Sequence, residues 1–124
     1  MSEKTNLENF IAFWSDISIV VLLVLMEQNN ETKNVQYLNV KNRAEQIMSG
    51  MISRGIEKGT FDRSIDVFMK IRKDFLNSEL LNVVPEHLVP ATIVAIAVKQ
   101  DLEQDLDEED FTNVVRSAYE YLAS

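Results

Sequence analysis

Any chemistry in this chain has few side chains to draw on. The sequence holds one histidine, His87, and no cysteine. An imidazole ionises near neutral pH and so serves most readily as a general base. His87 lies in NVVPEHLVP, between Pro85 and Pro90 and directly after Glu86, a pairing that an acidic chain often produces by chance. Lack of cysteine removes disulfides, thiolate catalysis, iron–sulfur clusters and cysteine-ligated zinc together. One imidazole cannot supply a site that needs two. No glycine-rich phosphate loop and no nucleophile elbow occurs. Carboxylate pairs are so common here that they single out nothing. The chain is expected to be non-enzymatic, with no cofactor and no metal site.

The most conspicuous polar stretch is DLEQDLDEED, residues 101–110, with seven carboxylates and no base. It fails as a calcium loop. Setting Asp101, Glu103, Asp105 and Asp107 on the first four ligand positions puts Leu106 where an EF-hand needs glycine, and Thr112 where it needs the bidentate glutamate. Two readings remain. The stretch is a solvated helix end followed by a helix start, or it is a docking surface for a basic partner through Asp105, Asp107, Glu108, Glu109 and Asp110.

Charge is divided along the chain. Residues 33–73 carry nine Lys/Arg against four acids, and residues 74–124 carry two against eleven. Residues 1–32 hold one Lys and five acids, which completes the formal net charge of −8. That balance argues against non-specific binding of nucleic acid or anionic membrane by the whole surface. The basic region 41–73, with Arg54, Lys58 and Arg63, supports a second reading as a nucleic-acid-associated transcriptional regulator, although no helix-turn-helix is evident in it. The acidic and basic regions could also face each other within one fold, or join copies of the chain.

These groups must be positioned by helices. Only three Gly and two Pro punctuate 124 residues, which favours long helices over short strands and tight turns. The greasiest stretch is Phe10–Met26. At 100° per residue, Thr5, Glu8, Asn9, Ala12, Ser15 and Asp16 share one arc, and Leu7, Phe10, Ile11, Phe13, Trp14 and Ile17 the other. Beyond Asp16 the wet arc is taken over by Ile19, Leu23 and Met26. The spacing predicts a first helix over 10–26 that starts at the surface and runs into the core, with Asp16 solvated. Dense β-branched residues make a buried strand over 17–25 the competing reading. Asp16 and the lack of flanking Lys/Arg speak against a membrane span, and MSEKTNLEN does not resemble a signal-peptide start.

A second helix is expected from Val35 to Lys58, with Leu38, Ala44, Met51 and Ile52 on its apolar stripe and Gly59 as its terminating glycine. Within it, Gly50 and Gly55 suggest close approach of another backbone. A third is expected over 64–82, capped by Thr60, Asp62 or Ser64, with Phe68, Ile71, Phe75 and Leu80 inward. The prolines at 85 and 90 then stop the chain. A fourth helix over 91–106 is apolar nearly all round. A last one follows Asp107 as its cap, with acids in the first turn, where the helix dipole favours them.

The expected architecture is all-α: one domain over 1–124 of about five helices, the first and fourth in the core. The expected function is that of a small acidic cytoplasmic protein that binds another protein with a basic surface, as regulator, inhibitor or adaptor, with no membrane role. Two nearly all-apolar helices are much to cover in so short a chain, which suggests a homodimer. A carrier of small apolar ligands is the third reading.

Overall fold

A computed structural model describes residues 3–102 and 105–124. The chain is all-α. Its helices are α1 (Glu3–Gln28), α2 (Tyr37–Ser53), α3 (Lys58–Leu76), α4 (Val89–Leu102) and α5 (Glu108–Ala123). Two short 3-10 turns, Glu79–Asn82 and Glu86–Leu88, join α3 to α4. There is no strand among the described residues, so residues 17–25 are helical.

The first helix is longer than the 10–26 its apolar run predicts, and its end is a C-terminal motif written in polar residues. Glu31 N–H donates to the Met26 carbonyl at 2.8 Å and Asn30 N–H to that of Glu27 at 3.2 Å, the paired bonds that close a Schellman motif. Asn30 takes the left-handed conformation this requires, with φ 57°. Asn tolerates that region better than most side chains. Asn34 then sets up α2, because its Oδ1 accepts from the Gln36 N–H at 2.9 Å.

The second helix ends at Ser53, not at Lys58. Gly55, with φ 79°, is its terminating residue. Ile56 N–H donates to the Met51 carbonyl and Gly55 N–H to that of Ile52, each at 3.0 Å. Gly59 instead lies in the first turn of α3. A Cβ added at Gly50, Gly55 or Gly59 would meet nothing within 4 Å. The expected close backbone approach is therefore not why these glycines are present. Only Gly55 has a conformation that calls for one.

The third helix runs from Lys58 to Leu76 rather than over 64–82. Just past its end Ser78 turns back on it: both its N–H, at 3.0 Å, and its Oγ, at 2.7 Å, donate to the Phe75 carbonyl. A side chain that serves the backbone locally competes with helix continuation. Leu80, expected inward, consequently stands 54% exposed.

Two compact units result. One comprises Asp16–Met69: the second half of α1, all of α2 and most of α3. Ile17, Val20, Val21, Ala44, Met51 and Phe68 are buried in it. Leu38 and Ile52, expected on the buried stripe of α2, are 65% and 75% exposed. The other unit comprises the chain up to Ser15 together with Lys70–Ser124. Here α4 packs on α5. Every residue from Ala91 to Val98 except Ile96 is buried. Thr92 is tolerated because its Oγ1 donates to the Leu88 carbonyl at 2.8 Å, which offsets the cost of burying a hydroxyl. Val114 and Ala118 are the buried positions of α5. The fourth helix starts at Val89, with Pro90 in the first turn, where a missing N–H costs nothing. It leaves helical conformation before 105, so it does not reach 106; residues 103 and 104 lie outside the described set.

On α1, Glu8 and Asn9 are exposed while Ile11, Trp14 and Ile17 are buried, as the arcs predict. Ser15 is fully buried and Asp16 partly buried, so the wet arc ends a turn earlier than expected and Asp16 is not fully solvated. Over Asn6–Gln28 this helix has the length and composition to cross a membrane, a property shared by core helices, and half of its most apolar window is buried within the protein.

Candidate interaction surfaces

The acidic stretch is held at two points. At the α4 end, the indole N–H of Trp14 donates to Oδ2 of Asp101 at 3.0 Å. Trp14 is itself 5% exposed and meets Phe13 edge-on, ring centroids 5.3 Å apart. A buried indole needs an acceptor for its N–H, and Asp101 supplies it from the far end of the sequence. At the α5 end, Oδ1 of Asp107 accepts from the Asp110 N–H at 2.7 Å. That is the helix cap expected at this position. Two of the carboxylates therefore have structural work.

The candidate docking residues Asp105, Asp107, Glu108, Glu109 and Asp110 are all exposed, gathered where the chain turns into α5. No ion pair holds any of them among the described residues. Glu103, invoked in the calcium-loop alignment, lies outside the described residues. Among the described residues no three His, Cys, Asp or Glu side chains converge to hold a metal ion.

The basic candidates Arg54, Lys58 and Arg63 are exposed as well. They do not share one helix face. Arg54 caps α2 and its Nε donates to the Gly50 carbonyl at 3.3 Å. Lys58 and Arg63 lie five residues apart on α3, roughly 140° around its axis. Lys70 pairs with Asp74 at 3.8 Å across one turn of α3, with both side chains mostly in water. Such pairs contribute little.

His87 is exposed and packs edge-on against Tyr119, with ring centroids 5.8 Å apart. This ties the turn before α4 to the last turns of α5. Glu86 beside it is exposed too.

Sequence reasoning missed the apolar side chains left in water. Val35 is 92% exposed and Val83 73%, in addition to Ile52, Leu38 and Leu80. The signal for Val83 was present, since LLNVVP is apolar yet sits between two helix stops, where no helix face can bury it. For Leu38 and Ile52 there was none. The i, i+3, i+4 rule names a stripe without fixing its width. Comparison with protein-family models, with curated proteins and with solved structures gives no match for this chain.

Proposed function

We propose that this chain works by binding another protein in the cytoplasm, as a regulator, inhibitor or adaptor with no chemistry of its own, and that its partner presents a basic surface. One observation carries the reading: Asp105, Glu108, Glu109 and Asp110 stand in water around a turn whose shape the Asp107 cap fixes. Charge held in place before binding loses less entropy on association and steers an oppositely charged partner. Burial of Trp14, Ile17, Val20 and Val21 favours α1 as a core helix over a membrane span.

The test is recovery of partners by the tagged chain from lysate of its own host, with and without nuclease. The recovered protein is then titrated against a variant carrying Asp105→Asn, Asp107→Asn, Glu108→Gln and Glu109→Gln. Asn is as good a cap as Asp, so the variant removes charge without melting α5. Binding should fall steeply with salt and vanish in the variant. Unaltered binding would remove the acidic surface from consideration, and recovery that depends on nucleic acid would move the function to the basic region 41–73.

A further inference from the structure

Two of the places where apolar side chains stand exposed lie in regions of opposite charge. On α2, Leu38, Asn42, Glu45, Ser49 and Ile52 follow one another at steps of four and three, all exposed, as one seam along the helix. Its C-terminal anchor, Ile52, is followed along the chain by exposed Arg54, Glu57 and Lys58. In the turn after α3, Leu80 and Val83 stand in water between Glu79 and Glu86. The surrounding regions repeat the contrast, nine Lys/Arg against four acids over 33–73 and two against eleven over 74–124. α4, the helix whose apolar character suggested a partner, is covered by its own chain. Leu38, Ile52, Leu80 and Val83 are among the apolar side chains that the chain leaves exposed, with Leu22, Val35 and Tyr119 elsewhere.

Each site has what the other lacks. An apolar anchor in a basic region matches an apolar ledge in an acidic one, and both belong to one polypeptide. We propose that two copies of this chain associate through these unlike surfaces, Ile52 with Arg54 and Lys58 of one copy seating on Leu80 and Val83 of the other. The contact is between unlike sites, so each copy keeps one site of each kind for a further copy. Apolar burial supplies the affinity, and the surrounding charges set which face meets which. Salt therefore weakens the association without abolishing it, because screening reaches the charges and not the apolar contact. The contact uses none of the residues Asp105–Asp110, so the two readings stand or fall independently.

The experiment needs only the purified chain. Sedimentation equilibrium across a concentration series should show reversible self-association of the wild-type chain. Ile52→Asp and Val83→Asp alter side chains already in water, and circular dichroism will confirm that both variants remain helical. Each should weaken self-association about tenfold or more. Mixed in equal amounts they should form a heterodimer, since one chain keeps the basic site and the other the acidic ledge. A wild-type chain that stays monomeric up to about 100 μM overturns the proposal. So does a dimer indifferent to both substitutions. Loss in each variant without recovery on mixing overturns it too, because that result means like meets like.

Discussion

Replacing Asp101 tests whether the bond to Trp14 ties α4 to the start of α1. A hydrogen bond to a charged group contributes about 1.5–3 kcal/mol. Asp101 is exposed and water can solvate it after the bond breaks, so the lower end applies. The cost falls on the indole side, because Trp14 is buried and its N–H would lose this acceptor. Two terms oppose the loss. Asp101 sits in the last turn of α4, where a negative charge opposes the helix dipole by about 0.3–1 kcal/mol. Ala also has the better helix propensity, by about half a kcal/mol. Asp101→Ala should therefore destabilise by only about 1 kcal/mol, and Asp101→Asn, which keeps an oxygen and sheds the charge, by almost nothing. The decisive quantity is the coupling in a double-mutant cycle with Trp14→Phe, where the dipole and propensity terms cancel. Urea unfolding followed by circular dichroism should give a coupling of about 1 kcal/mol or more. A coupling below about 0.3 kcal/mol would refute the idea that this bond contributes to the fold, as would an Asp101→Ala loss no larger than that of Asp105→Ala.

Three further outcomes follow from the local geometry. Asp107→Ala should cost about 1 kcal/mol by removing the α5 cap, while Asp107→Asn should be near neutral; urea midpoints of the two variants measure the difference. The glycines should separate: Gly55→Ala destabilises by about 1 kcal/mol because φ is 79° there, whereas Gly50→Ala, in mid-helix with open space around it, stabilises by roughly 0.5–1 kcal/mol in thermal unfolding. Ala118→Leu, at a fully buried position of α5, should cost about 1–3 kcal/mol through overpacking, and an unchanged melting temperature would show that the position has room the structure denies it.

Much of the fold was legible because it rests on patterns that a helix enforces locally. Ala91–Val98 is apolar on nearly every side and is buried on nearly every side; Asp107 followed by three acids reads as a helix start and is one. The helix ends were less legible, for a physical reason that can be stated at each. Between Gly55 and Gly59, composition alone does not decide which glycine terminates α2. The motif does decide, because a Schellman end places an apolar residue just after the glycine and another four residues before it. Ile56 and Met51 satisfy that around Gly55; Thr60 and Gly55 do not satisfy it around Gly59. At the end of α3 the N–H and hydroxyl of Ser78 both turn back to the Phe75 carbonyl, and Leu80 beyond them lies on the surface rather than in the core.

That last change joins the fold to the proposed association. Had α3 continued to 82, Leu80 would have stayed on the stripe with Phe68, Ile71 and Phe75, and the chain would present no apolar ledge among its acids. The Trp14–Asp101 bond was illegible for a different reason, since 87 positions separate the partners and no local rule links an indole to a distant carboxylate. Its consequence bears on the acidic surface. With Asp101 held by Trp14 and Asp107 by the backbone of α5, the charge left for a partner is carried by the acids between and just after them. Restoring Asp107 in the neutralised variant, which already keeps Asp101, while Asp105→Asn, Glu108→Gln and Glu109→Gln remain, should therefore leave partner binding as weak as before. A recovery of binding would place the docking charge on Asp107, a residue that the fold already uses.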